Sequence, residues 1–365
     1  MKRIATLILA FFLACVVTSG SCTKEPEKNG STWDQYQQGG NGQQGGQTDP
    51  EISDAVYTQA GCTALMKSKA MAYRKAACSS STRNGVYVYT RTIEKYPSNP
   101  QKVAARLYVL GFKDIYLSTG QSRLQNADDW VRSFNAACHG YGMKVYALRI
   151  ADNSLLVNPS SVDSEVSLVT GYNSKVSSAQ AFDGIAADLE VHTAKNVSGL
   201  SYSWDSSSNY GKGKDNDKLL ELGLQVLTRA GTSLHSASLQ LNEAISYAYQ
   251  KHYDNGELNF GSTSQFLACC DWVVVMAYLA TKESIWSQSL PCLNAAGKAG
   301  SVSIAYKTSV NGVDSASIQP KGWNYLLETS RYLLSQGASK AAFRGIDSFE
   351  YAGIETMWEW TGDTN

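Results

Sequence analysis

The sequence predicts an α/β fold, a (β/α)8 TIM barrel, behind a helical lead-in and an N-terminal tether without structure of its own. Two patterns carry that expectation. Short apolar segments alternate eight times with amphipathic stretches over roughly 280 residues, and such alternation builds a parallel sheet whose crossovers are helices. No glycine-rich phosphate loop follows the first strand, so the signature of a doubly wound nucleotide-binding sheet is missing. A third feature concerns use. Asp188 and Glu190 end the fourth apolar segment, and barrels carry their chemistry at the carboxyl ends of their strands.

The elements are expected in this order. A helix over roughly 54–77 leads in, and strands follow at 86–90, 114–118, 144–150, 183–190, 238–244, 272–278, 301–306 and 341–349. Asn99-Pro100 supplies a cap and a proline at the first helical position, and Gly111 closes that helix. Asn126 with Asp128-Asp129 starts the next, which carries Trp130, Phe134 and Cys138 on one stripe. Leu219, Leu222, Val226 and Leu227 line a later helix, and Trp323, Leu326, Leu327 and Leu334 line the last.

The N-terminus has the three parts of an export signal, over residues 1–21. Lys2 and Arg3 form the basic start, 4–17 the apolar core, and 18–21 a small-residue cleavage region. The core is shorter than the ~20 residues that a membrane span needs. Cys22 follows directly and resembles a bacterial lipoprotein site, which implies acylation of its thiol; Ser19 stands where that pattern prefers Leu. An ordinary secretory signal with a free Cys22 is the alternative. Residues 29–50 are mostly Gly, Gln, Asn and Ser, with Trp33 and Tyr36 their only large apolar groups. That composition buries too little surface to offset ordering entropy, so 22–50 should be a flexible tether and 51–365 the folded barrel. The layout is that of a membrane-anchored lipoprotein, in the outer membrane of a Gram-negative cell.

Lys and Arg number 32, matching 32 Asp and Glu, with no basic stripe, which argues against nucleic acid as a partner. The expected state is a monomer. None of the cysteines has zinc-site spacing, and no metal or cofactor is expected. In an exported chain Cys62 and Cys78, flanking one helix, are the best candidates for a disulfide; buried free thiols are the alternative for the others.

Chemistry is expected at the fourth strand. Side chains alternate across a strand, so Gly184, Ala186, Asp188 and Glu190 should share a face that is bare until it presents two acids. A salt-bridged or helix-capping pair would look the same in sequence; a place at the open end of a barrel favours acid catalysis. Acids two residues apart on a strand couple electrostatically, so an ionised Asp188 would keep Glu190 protonated.

The stretch Asp183-Gly184-Ile185-Ala186-Ala187-Asp188-Leu189-Glu190 resembles the D-G-x-D-x-D-x-E motif of the chitinase-like superfamily of glycoside hydrolase family 18, with Ala186 in place of the central Asp. Met276-Ala277-Tyr278 resembles that family's Met-x-Tyr on strand six, with Leu279 where an Asp commonly follows. The resemblance implies retaining, substrate-assisted hydrolysis of N-acetylhexosamine-containing glycans. It makes Glu190 the proton donor, Asp188 the group that orients the substrate acetamide, and Tyr278 its hydrogen-bonding partner. It equally allows a non-catalytic glycan-binding protein, because Ala186 removes a carboxylate below Asp188.

Substrate contacts are sought around that pair. Met276 belongs to the strand-six motif. Asn242 and Glu243 are read as the end of strand five, where a polar contact would fit. Trp204, with Tyr202 and Tyr210, lies on the polar loop after strand four; Tyr247, Tyr249 and Tyr253 follow strand five, and Trp286 follows strand six. These rings either stack on sugar faces or cover the rim. Glu350 and Asp347 are acids of the last strand, of which one should face in. His192, two residues past Glu190, is either a ligand to substrate or a structural hydrogen-bonding group.

Overall fold

Arg344 and Asp114 show how this sequence closes a sheet. In a computed structural model, which describes residues 51–205, 209–211, 213–309 and 315–361, Phe343 pairs with Val302 but Gly345 with Ser303, so Arg344 bulges. Its guanidinium donates to the buried Asp114 carboxylate at 2.5 Å and lies 4.2 Å from the ring centre of Trp272. Arg83 donates to the same carboxylate from the other side. Three strands are thereby tied together at the amino end of the sheet.

Eight strands form a closed parallel barrel: β1 (Gly85–Val88), β2 (Asp114–Leu117), β3 (Lys144–Arg149), β4 (Gly184–Ala187), β5 (Gln240–Ser246), β6 (Trp272–Met276), β7 (Val302–Lys307) and β8 (Phe343–Phe349), in chain order, with β8 pairing β1. The predicted barrel is therefore what forms, with each strand within a few residues of its expected place. Two ends differ in a way that matters. β4 stops at Ala187, before either acid, and β5 runs on to Ser246, so Asn242 and Glu243 lie within it rather than at its end.

The barrel interior is aromatic. Tyr87, Tyr116, Tyr146 and Trp272 make a chain of ring contacts, with centroids 4.7, 6.1 and 5.1 Å apart, around Ala186, Val274 and Ala305. Such rings fill the tube that smaller side chains would leave hollow. Gly184 is required at its place: a Cβ there would stand 2.0 Å from the Gln240 carbonyl oxygen of β5.

Outside the sheet, the stripe Trp130–Phe134–Cys138 is buried, on the helix Asp129–Gly140, and Asp128 alone caps it by accepting from the Trp130 and Val131 amides. The helix Pro100–Val109 begins at its proline without a side-chain cap from Asn99. The lead-in helix Ala64–Ala77 packs against Gly322–Gly337.

The disulfide expectation fails: Cys62 and Cys78 are free, as are the other four cysteines among the described residues. The helix between them has 14 residues and is about 21 Å long, whereas bridged Cα atoms lie within about 7 Å. The signal, Cys22 and the tether lie outside the described residues.

Candidate active site

After Ala187 the chain leaves the sheet by two successive tight turns. The Asp188 amide still donates to Ile150, but the Glu190 amide turns back to Asp188 O (3.0 Å) and the Val191 amide to Leu189 O (2.7 Å). Strand alternation therefore ends at Asp188, and Glu190 is aimed by the turn rather than by the pleat. The Leu189 amide, stranded between the two acids, donates to Glu243 Oε1 at 3.2 Å. Glu243 is only 1% exposed, on the outer face of β5 opposite Ala187, and burial pushes its carboxyl far above the usual range. It braces the turn from behind and touches no open space.

The two acids differ in setting. Asp188 stands on the inner face of the barrel, close enough to Tyr87, Tyr89 and Tyr278 for its charge to add to the burial that raises all three phenols. Burial first, then the charge of Glu190, pushes Asp188 up to about 7. Glu190 has a side chain 39% exposed; burial raises it and the Lys307 ammonium opposes that rise. Asp188 is thus not held ionised by its setting as the sequence led one to expect: it is the deeper acid, and desolvation outweighs the pairing charge in its upward shift. Neither carboxylate has a side-chain hydrogen-bond partner among the described residues, and Glu190 is the one of the two that lines a cavity. Asp183, the first acid of the motif, is instead structural, accepting from His139, Lys144 and the Val145 amide at the foot of β4.

A cavity of about 610 Å³ opens beside Glu190, lined further by His192, Trp204, Tyr247, Met276, Tyr278 and Gln288. Trp204 is 44% exposed, and its indole lies near His192, Tyr202, Tyr249 and His252, with centroids 5.8, 5.0, 6.2 and 5.7 Å away. A flat, half-open ring on the wall of a polar cleft suits the apolar face of a sugar. Lys307 ends β7 with its ammonium 5.8 Å from the Tyr278 ring centre. Among the described residues no group of His, Cys, Asp and Glu could hold a metal ion.

No protein-family model matches this sequence, and no curated protein matches it. Among solved structures it is similar to a family 18 chitinase from Pseudoalteromonas aurantia, at 12% identity and a TM-score of 0.49, covering 76% of this chain and 97% of the other. It is similar to an endo-β-N-acetylglucosaminidase from Cordyceps militaris at 12% identity and a TM-score of 0.42, covering 79% and 86%. A chitinase from Chromobacterium violaceum stands at 12% and 0.41, covering 62% and 68%. The barrel rests on this chain's own strand pairing, and its chemistry on its own side chains.

Of the residues singled out in the sequence, the structure brings Glu190, Tyr278, Met276 and Trp204 to one cavity; Asp188 does not line it but stands close enough to Glu190 and Tyr278 for their charges to interact. It does not bring Asn242, Glu243, Trp286 or Glu350 there. Asn242 is fully buried inside the barrel, one layer below the acids. Trp286 is half-buried on the helix Lys282–Ala295 against the outer core, because Ser284 and Gln288 take the cavity-facing positions. Glu350 is buried and ion-paired with Arg91, and Asp347 is the acid of β8 that faces in, held by the Tyr116 hydroxyl and the Gly85 amide. Lys307 was missed. A lysine as the last residue of a barrel strand is the signal that would have found it.

Proposed function

We propose that this chain is a retaining glycoside hydrolase for N-acetylhexosamine-containing glycans, with Glu190 as proton donor and Asp188 as the group that orients the substrate acetamide. The observation that carries this reading is the acid pair at the barrel mouth, both members pushed upward by burial, one half-buried among phenols and the other open to a ring-lined cavity. The pair works as a unit that retains one proton near neutrality. An acetamide N–H donated to Asp188 favours its ionised form, so substrate binding moves the proton to Glu190, where the glycosidic oxygen needs it. Tyr278, which feels the Asp188 charge and lines the cavity, donates in this reading to the acetamide oxygen as that oxygen attacks the anomeric carbon.

Glu190→Gln tests the assignment. The amide keeps the shape of the side chain but delivers no proton, and general acid assistance is worth about 10²–10⁴-fold. Hydrolysis of chitin-like oligomers and N-glycans should fall by that factor while affinity stays within about twofold. Equal turnover by wild type and variant would falsify the acid role. Ala186 favours a second reading, a glycan-binding protein without turnover, and binding by both proteins with hydrolysis by neither would establish it.

The export signal and Cys22 support a lipid-anchored protein at the outer membrane, joined to the barrel by the tether. Cys22→Ser should move the chain from the membrane fraction to the soluble fraction; continued sedimentation with membranes would refute the anchor.

A further inference from the structure

His192 lines the same cavity as Glu190, on the short turn Val191–Thr193 that follows it. Its ring is fixed from behind. The buried Tyr249 oxygen accepts the His192 backbone N–H at 2.9 Å and lies 3.0 Å from Nδ1. Nδ1 is the one acceptor within reach of that hydroxyl among the described residues, so the phenol donates to Nδ1 and the ring proton of a neutral imidazole sits on Nε2. Burial, which drives His192 down to about 4, keeps the ring neutral across the working range. Trp204 and Tyr249 flank it at centroid distances of 5.8 Å each.

Nε2 lies 4.0 Å from Glu190 Oε1. That is too long for a direct hydrogen bond, but one oxygen atom about 2.9 Å from each fits between them. We infer that His192 is a further catalytic residue, whose Nε2–H grips the same glycosidic oxygen that Glu190 protonates. This deepens the hydrolase reading and rests on it. As the anomeric C–O bond breaks, its electron pair goes to the leaving oxygen and the Glu190 proton follows. The acetamide oxygen forms the new bond to the anomeric carbon. The imidazole keeps its own proton and stabilises the charge that gathers on the leaving oxygen before proton transfer is complete. The contribution is greatest for a poor leaving group, so the site is built for a sugar alcohol rather than an acidic phenol.

The test is the leaving-group dependence of kcat/KM on the full chain. His192→Phe keeps a ring between Trp204 and Tyr249 but has no donor; His192→Gln restores an N–H near the Nε2 position. Melting temperatures check that both fold. His192→Phe should lose ~10²-fold on an oligosaccharide and less than about threefold on the matching 4-nitrophenyl glycoside. His192→Gln should recover at least about tenfold of the larger loss. Equal losses on both substrates, or no loss, overturn the inference. If wild type hydrolyses neither substrate, the hydrolase reading fails on its own, and calorimetric binding of the same oligosaccharide decides the contact. His192→Phe should then bind about tenfold more weakly. Unchanged affinity overturns the contact, and no binding by wild type overturns both.

Discussion

Lys307 sets how long Glu190 keeps its proton. Among the described residues its ammonium is the neighbour that opposes the upward push of burial on that acid, so removing the charge raises the Glu190 pKa. Lys307→Met should therefore carry the basic limb of the pH–rate profile upward, by up to about one pH unit. A limb that stays in place, or moves down, would show that the ammonium acts elsewhere. Of the site, Asp188, Glu190, Tyr278 and Trp204 were legible in the sequence, through a strand end, a motif and a ring on a polar loop. Glu243 was read as a substrate contact because two adjacent polar residues look like a strand end. Its real role, holding the Leu189 amide from the outer face, depends on where β5 stops.

At the scale of elements, β4 turns only the small Gly184 and Ala186 toward the barrel interior, between larger neighbours. Ala186 is fully buried against an interior filled by Tyr146, Leu148 and Trp272, and the layer below Asp188 is occupied by rings. A carboxylate at that place would be buried among rings, at a cost of several kcal/mol or by remaining neutral. Ala186→Asp should lower the melting temperature at pH 7 by roughly 5 °C or more, and by less at pH 4, where the new group is protonated. An unchanged melting temperature with a large gain in turnover would mean that the interior has kept room for the acid. Strand and helix order was legible because it follows local periodicity. The failed Cys62–Cys78 pairing shows the converse: flanking the same helix places two residues at its opposite ends.

For the whole molecule, two inward-facing acids make stability depend on pH. Burial pushes Asp347 up to about 7 from an ordinary value of 3.8, against the opposing charge of Arg344. Between about pH 4 and pH 7 the folded chain holds this proton and the unfolded chain releases it. The contribution of Asp347 to stability is then fully present below pH 4 and is lost as pH rises to about 7, by up to ~1.4 kcal/mol per pH unit for such a group. Asp188 acts in the same direction. Asp347→Asn keeps an acceptor for the Tyr116 hydroxyl and removes the proton, so it should lose less stability than wild type between pH 4.5 and 7 in urea titrations. Parallel pH dependence in the two proteins would place the linkage in other groups.

The sequence by itself determined the barrel, its strand order and the acids at its fourth strand. Those follow from apolar periodicity and residue spacing, which are local properties of the chain. Only the tertiary structure decided which acid lies deeper, because the phenols around Asp188 come from β1 and the end of β6. It also decided how His192 is held, by a tyrosine 57 residues away, and that Lys307 stands over the site. Desolvation and hydrogen-bond partnership are set by non-local neighbours, and a linear pattern of residue types does not record them.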